Sequence, residues 1–112
     1  NIINNAKDIL KEKCKKENRF IFVSSKKIKK DKLEITISDS GGGISSDIID
    51  RIFEPYFTSK HQSIGTGIGL SMVNKILRDK YKAKISVYNK ENTYNGKSYY
   101  GACFQIIFPK KV

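Results

Sequence analysis

The 112-residue sequence predicts an α+β fold, a two-layer α/β sandwich in which helices pack on one face of a sheet. Two observations lead to this prediction. Apolar residues recur at helical spacing in some segments and alternate with polar residues in others. Helical and strand-like segments are also partly segregated along the chain. At this length we expect a single domain, residues 1–112, with one modest core.

The first half begins with an amphipathic helix over residues 1 to about 16, whose apolar positions follow a helical period. Strands are predicted next at Phe20–Ser25 and Leu33–Ser38. The second of these alternates apolar and polar side chains, which is typical of a strand buried on one face. The segment Lys29–Lys32 is the predicted hairpin turn between them.

A short helix is predicted from about Ser45 or Ser46, either of which would cap it, to about Ile52. Pro55 ends this helix, because proline cannot continue the hydrogen-bond pattern. Residues 57–66 are predicted to be a loop rich in small and polar side chains.

A second long helix is predicted over residues 68–80, with one apolar face formed by Ile68, Met72, Val73, Ile76 and Leu77. Two strands, 84–88 and 99–108, complete the fold. Residues 89–98 between them are predicted to be a polar connection.

Composition and charge limit the functions that fit. No apolar run approaches the roughly 18 residues that span a bilayer. Cys14 and Cys103 lie far apart and His61 is the single histidine, so we expect free thiols in a reducing compartment and no zinc site. The net charge of +11 suggests nucleic acid. Aromatic residues are not interleaved with the lysines, however, so we predict no nucleic-acid partner.

Six of the eight glycines lie in two clusters, Asp39–Ile44 and Gly65–Leu70, on either side of the aromatic run Phe53–Lys60. Glycine is favoured where the backbone must turn tightly or approach a ligand closely. Phosphate groups are common ligands of such loops, which offer backbone N–H groups and the positive end of a following helix. The clusters therefore predict a nucleotide site.

Asp39 lies where the second predicted strand meets the first glycine cluster. A carboxylate there would accept a hydrogen bond from the exocyclic amine of adenine, whereas guanine would present a carbonyl oxygen. Such a mismatch costs on the order of a few kcal/mol when it is desolvated. Asp39 therefore favours ATP over GTP, and the alternative that Asp-Ser-Gly is only a turn remains open.

Three further polar side chains are candidates for the phosphate end of the site. Asn1 and Asn5 lie one helical turn apart, and an Asn amide oxygen suits Mg²⁺ that is shared with substrate phosphates. Lys60 would meet a phosphate as a point charge. Each is a weak signal alone, since 22 residues are Lys or Arg.

Taken together and in this order, these elements resemble the ATP-binding catalytic domain of sensor histidine kinases, in the superfamily that includes DNA gyrase, Hsp90 and the mismatch-repair ATPases. Asn1–Ala6 is similar to the asparagine box, Asp39–Gly43 to the D-x-G-x-G box, Phe53–Lys60 to the F box and Gly65–Leu70 to the second glycine box. The F box separates sensor kinases from the other branches. Its form here resembles that of the nitrogen-regulation-type kinases.

The resemblance implies a Bergerat-type fold, with a mixed sheet and helices on one face. The strand that precedes the first helix in the family has no counterpart here, so we expect an incomplete N-terminal edge and a chain that is part of a longer protein. It also implies that Asn5 holds Mg²⁺, that Asp39 reads adenine and that Phe53 and Phe57 pack the base of a lid. The implied cofactor-binding residues are Asn1, Asn5, Asp39, Gly41, Gly43, Ile44, Phe53, Phe57, Lys60, Gly65, Thr66, Gly67, Ile68, Gly69 and Leu70.

The implied function is to bind Mg·ATP and to donate its γ-phosphoryl group to a histidine on a separate dimerisation and phosphoacceptor domain of the same protein. A response regulator would act downstream, and the parent protein would be a homodimer. The domain would be cytoplasmic, with membrane anchoring of the parent left open.

Four positions depart from the family pattern. Asn1 stands where the hydrolysing branches carry a glutamate base, which favours phosphoryl transfer over hydrolysis. Asp8 stands where sensor kinases often carry a basic residue, and Ala102-Cys103 where they often carry hydroxyl groups. The alternatives are an ATPase of the gyrase or repair branch, a degenerate adaptor that binds no nucleotide and a serine kinase of the anti-sigma type.

Overall fold

The computed structural model describes residues 2–54 and 69–109. Two α-helices and four β-strands make up its main elements. In chain order they are α1 (Ile2–Lys13), β1 (Ile21–Ile28), β2 (Lys32–Asp39), α2 (Gly69–Tyr81), β3 (Lys84–Tyr94) and β4 (Lys97–Phe108), with short 3-10 helices at Lys16–Asn18, Lys29–Asp31 and Ile49–Arg51. Neither described α-helix has the length and apolar character required to cross a membrane.

The four strands form one sheet in the order β1-β2-β4-β3. The predicted α+β class and two-layer arrangement are confirmed, with α1 and α2 packed on one face. The mixed sheet that the resemblance implied is not seen among the described strands, because every neighbouring pair is antiparallel. β2 and β3 do run parallel to each other, but β4 lies between them and pairs with both.

The core lies between this sheet and the two helices. On the sheet side it is formed by alternate residues of β3 and β4, and on the helix side by Ile2 of α1 and the inward positions of α2. Its buried members are Ile2, Ile52, Ala83, Ile85, Ala102, Phe104 and Ile106. The alternation of apolar and polar residues in the sequence therefore correctly predicts the buried face of β4.

The apolar face predicted for α2 is partly wrong. Leu70, Val73 and Leu77 pack against the core, whereas Met72 and Ile76 are 54% and 48% exposed. The packed positions follow an i, i+3, i+7 spacing, and Met72 and Ile76 lie on the neighbouring stripe of the helix. The helix begins at Gly69 and ends at Tyr81.

The short helix predicted from Ser45 or Ser46 to about Ile52 is confirmed only in part. The carbonyl oxygen of Ser45 accepts hydrogen bonds from Ile48 and Ile49, and only Ile49–Arg51 forms a 3-10 helix. A segment this short gains few helical hydrogen bonds, so it does not repay the entropic cost of starting an α-helix.

The predicted polar connection at 89–98 is wrong as well, because β3 and β4 form one long hairpin. Their pairing continues from Lys84↔Ile107 to Tyr94↔Lys97. Asn95 and Gly96 form the turn, with φ of 51° and 77°. Asn-Gly is the strongest short-range signal for a hairpin whose two turn residues both have positive φ, and it is present in the sequence.

Candidate functional site

Asp39 is the last residue of β2 and is 6% exposed. Its Oδ1 accepts a hydrogen bond from the backbone N–H of Gly41 at 2.9 Å. Burial raises the pKa of Asp39, because it removes water from the carboxylate, and the backbone N–H groups of Gly41 and Ala102 partly oppose that rise. The structure therefore places a desolvated carboxyl group at the start of the glycine loop, as the sequence predicted.

The loop after β2, residues 39–44, is packed closely against α1. A Cβ at Gly41 would lie 2.5 Å from Cγ2 of Ile9, so only glycine fits this approach without a shift of the Ile9 side chain. Asn5 precedes Ile9 by one helical turn and shares its side of α1. The structure thus brings the predicted metal ligand Asn5 to the side of the helix that faces the loop.

The same loop turns through two glycines in the left-handed region. The φ angles of Gly42 and Gly43 are 91° and 88°. A Cβ at Gly43 would lie 2.8 Å from Cε2 of Tyr100 and 2.9 Å from Oδ1 of Asn89. The N–H of Gly42 donates to the carbonyl oxygen of Tyr100 at 2.9 Å. These contacts seat the loop against the β3–β4 hairpin.

Two side chains that the sequence analysis missed hold the ends of this loop. Asn89 of β3 accepts a hydrogen bond from the N–H of Ile44 at 2.8 Å and donates one to its carbonyl oxygen at 2.9 Å. Ser40 donates to the carbonyl oxygen of Asn18 at 2.7 Å and accepts from the N–H of Phe20 at 2.9 Å. Asn89 lay in the predicted connection, so no sequence signal placed it beside the loop.

Phe53 is half-buried and packs edge to face against Phe104, with ring centroids 6.3 Å apart and planes at 84°. This contact fixes the start of the predicted F box on the sheet. Gly69 and Leu70 of the second glycine cluster form the first residues of α2, and Leu70 packs against the core. The remaining predicted site residues lie outside the described residues; they are Asn1, Phe57, Lys60, Gly65, Thr66, Gly67 and Ile68.

The two departures in β4 lie on opposite faces of the sheet. Ala102 is on the helix-covered face, where it pairs with Asn89 of β3 and its backbone hydrogen-bonds Asp39. Cys103 points to the other face and is fully buried. Its contact with Tyr88 and the burial of the phenol raise the pKa of Tyr88 to about 12. The Cys103 side chain is therefore separated from the loop by the sheet.

No group of three or more His, Cys, Asp or Glu side chains is placed to hold a metal ion in the parts of the chain at 2–54 and 69–109. The described elements combine a desolvated carboxyl, a glycine loop seated on a helix and a sheet, and an amide side chain on the helix face nearby. That set suits a small polar ligand with an exocyclic amine.

The family model described as "Histidine kinase-, DNA gyrase B-, and HSP90-like ATPase" matches residues 1–112. Sporulation kinase E of Bacillus subtilis is 32% identical over 109 residues, which cover 97% of this chain and 13% of that protein. Sensor histidine kinase ZraS of Salmonella typhimurium is 46% identical over 57 residues, 51% of this chain and 12% of that protein.

Among solved structures, a nucleotide-free catalytic domain of histidine kinase ThkA is 30% identical, with a TM-score of 0.64 over 96% of this chain and 67% of that chain. The chain spans between 4% and 13% of the length of the curated relatives it matches.

Proposed function

The chain belongs to the histidine kinase-, DNA gyrase B- and HSP90-like ATPase family, and from this premise we propose that it is the ATP-binding catalytic domain of a sensor histidine kinase. In this proposal it binds Mg·ATP and donates the γ-phosphoryl group to a histidine on a separate domain of its parent protein. The observation that carries the proposal is the buried Asp39 carboxyl, held by two backbone N–H groups at the start of the glycine loop.

Asp39 is proposed to select adenine. Asp39 ends β2, which pairs with β1 on one side and β4 on the other, and its burial makes each of its hydrogen bonds stronger than it would be in water. The exocyclic amine of adenine would donate to it. The carbonyl oxygen of guanine would leave two desolvated acceptors opposed, at a cost on the order of 1–3 kcal/mol.

The phosphates are proposed to lie toward the N-terminal end of α2. That helix begins at Gly69, so the backbone N–H groups of its first turn and the positive end of its dipole would favour negative charge. Lys60 and Gly65–Gly67, which lie outside the described residues, are proposed to complete this part of the site as a lid.

Mg²⁺ is proposed to bind between the phosphates and Asn5. A neutral amide oxygen is a hard ligand, and this ion commonly takes its other ligands from phosphate oxygens and water. The bound ion would neutralise part of the phosphate charge during transfer. Asn5 would hold and orient it.

Transfer in this proposal depends on positioning and on charge neutralisation, because the accepting histidine lies on a separate domain. Asn1 occupies the place of a hydrolytic glutamate and lacks a basic carboxylate. We therefore propose that the isolated domain binds ATP but turns it over slowly. Its partners would be the phosphoacceptor domain of a homodimeric parent and a downstream response regulator.

The subtype is a further proposal. The run Phe53–Lys60, with Thr-Ser-Lys at its end, supports a parent of the nitrogen-regulation type. The sequence of the parent protein tests both the subtype and the partner domain. A phosphoacceptor histidine upstream of residue 1 would support them.

Titration with a fluorescent ADP analogue, followed by competition with ATP and GTP, tests the nucleotide site. We expect ATP to compete better than GTP, and Asp39→Ala to weaken binding by about 10- to 100-fold through loss of a charged hydrogen bond. Asp50→Ala removes an exposed carboxylate outside the site and should bind as the wild type does. Equal affinity of the Asp39 and Asp50 variants would refute the site assignment.

A second candidate is an ATPase of the gyrase or repair branch, which the net charge of +11 favours because such enzymes act on nucleic acid. Steady-state ATP hydrolysis by the isolated domain separates the two functions. Rapid turnover that is stimulated by DNA would support the second candidate, whereas slow turnover unaffected by DNA would support the kinase.

A further inference from the structure

Both ends of the glycine loop are held by one rung of the β3–β4 ladder. Asn89 and Ala102 face each other across the two strands. The backbone N–H of Ala102 contributes a hydrogen bond to the Asp39 carboxyl. The side chain of Asn89 makes its two hydrogen bonds to the backbone of Ile44. A single pair of strand residues therefore contacts both the start and the end of the loop.

The loop requires such a restraint because it contains three consecutive glycines. Glycine gives the backbone more accessible conformations than any other residue, and Gly42 and Gly43 occupy the left-handed region. The strand that carries Asn89 is an 11-residue element paired along its full length with β4. Through its hydrogen bonds to Ile44, Asn89 therefore connects the conformationally free glycine loop to the fully paired strand β3.

The chemistry of the contact requires an amide. Asn89 Oδ1 accepts from the Ile44 N–H at 2.8 Å while its Nδ2 donates to the Ile44 carbonyl oxygen at 2.9 Å. A carboxylate of the same shape would keep the first hydrogen bond, but it would place a negative oxygen against the carbonyl. A side chain that ends in a hydroxyl or methyl group, such as Ser or Ala, is unable to make both hydrogen bonds to Ile44.

We propose that Asn89 is a positioning residue for nucleotide binding, which acts by holding residues 41–44 in the conformation in which the Gly41 N–H donates to the Asp39 carboxyl. The proposal rests on the proposed function, because it assigns Asn89 to the same site. Asn89 makes no contact with the reacting phosphates in this account. Its contribution is to the affinity for the purine end of the nucleotide.

Asn89→Asp, which preserves the size of the side chain, tests this proposal. Asn92→Asp is its matched control, because Asn92 lies on the same strand three residues away and donates to Ser38 at 2.8 Å on the opposite face of the sheet. We expect Asn89→Asp to weaken ADP binding about tenfold or more at pH 8. Asn92→Asp should leave the affinity near that of the wild type.

The pH profile distinguishes positioning from a general loss of structure. Each affinity is divided by that of the wild type at the same pH, which removes the pH dependence that the two proteins share. In Asn89→Asp the introduced carboxyl gains a proton at low pH and is then able to donate to the Ile44 carbonyl oxygen. The relative affinity should therefore recover as the pH falls from 8 to 5, and a flat profile would overturn the proposal.

Amide hydrogen exchange of the nucleotide-free proteins gives a readout that does not depend on binding. The Ile44 N–H should exchange faster in Asn89→Ala than in the wild type, whereas the β1–β2 amides should be unchanged. Unchanged protection of Ile44 would overturn the proposal even if ADP binds. Failure of the wild type and Asn92→Asp to bind any nucleotide would instead refute the proposed function, and the exchange data would still show whether Asn89 holds the loop.

Discussion

The loop after β2 and the turn between β3 and β4 both depend on glycine, but for different physical reasons. In the turn, Gly96 has a φ of 77° and nothing lies within 4 Å of the position a Cβ would take. In the loop, a Cβ at Gly43 would lie 2.8 Å from Tyr100 and one at Gly41 would lie 2.5 Å from Ile9. The turn requires a backbone conformation, whereas the loop also requires the space that a side chain would fill.

This difference distinguishes the β3–β4 turn, which serves only the fold, from the loop after β2, which is a candidate ligand site. A hairpin turn exposed to water only has to reverse the chain, and its residues have no further partners to satisfy. The loop brings a helix, two strands and a buried carboxyl together within six residues. Closely packed backbone at the end of a central strand holds the Asp39 carboxyl in a fixed direction, which is the property that a ligand site requires.

The largest expected effect comes from Gly101→Ala in β4. A Cβ there would overlap the carbonyl oxygen and carbon of Asp39, which are backbone atoms and have little freedom to move. We expect the free energy of unfolding to fall by about 3 kcal/mol or more, since overpacking against backbone exceeds the usual range for side chains. Urea denaturation followed by circular dichroism measures it. A loss below about 1 kcal/mol would show that β2 and β4 tolerate separation here.

Gly41→Ala should have the next largest effect, because its Cβ meets Cγ2 of Ile9 on α1. We expect a loss of about 1–3 kcal/mol in the free energy of unfolding. The double variant with Ile9→Ala removes the clashing methyl group and should recover part of that loss. A double-mutant cycle with no coupling energy would contradict the helix–loop contact.

Asp39→Asn should alter how stability depends on pH. Burial raises the pKa of Asp39 in the folded state, so the folded protein holds that proton more tightly than the unfolded chain does. The resulting stability is fully present below the unfolded pKa, near 3.8, and is lost as the pH rises through the raised folded value. Relative to Asp39→Asn, the wild type should therefore lose stability as the pH rises from below 3.8 through the raised folded pKa of Asp39.

Thermal unfolding of the wild type and Asp39→Asn across this range measures the effect, and Asp50→Asn controls for the change in net charge. The turn between β3 and β4 should show no such dependence, since Asn95 and Gly96 carry no titratable group. A constant difference between the Asp39 variant and the wild type at every pH would contradict the burial of this carboxyl.

Local signals in the sequence were enough to predict much of the fold. The alternation in Leu33–Ser38 identified β2, and the acidic residue that ends it identified the start of the site. The Asn95–Gly96 signal was also present, but the polar residues around it suggested a loop. Those residues form strands because each pairs across the hairpin, where Asn92 and Lys90 face Tyr99 and Gly101. Polarity is a poor guide where a strand projects beyond the core.

The residues that hold the loop were not predictable in the same way. Asn89 and Ile44 are 45 positions apart, and their contact depends on the register of β3 against β4. A shift of one residue would turn Asn89 to the other face of the sheet. Ser40 likewise contacts Asn18 and Phe20 across the chain. Sequence patterns report which face is buried, but not which pairs meet across elements.

The smallest expected effect gives the sharpest comparison. Gly42→Ala and Gly96→Ala each place a Cβ in open space at a positive φ, of 91° and 77°. Both should therefore lower the free energy of unfolding by a similar amount, about 1–2 kcal/mol, which is the usual cost of a left-handed conformation for a residue with a side chain.

The effects of Gly42→Ala and Gly96→Ala on nucleotide binding should differ. Gly42→Ala should weaken ADP binding because Gly42 lies between Asp39 and the Asn89 contact, whereas Gly96→Ala should leave the affinity unchanged. Equal affinities for the two variants would show that the loop, like the turn, contributes only a chain reversal.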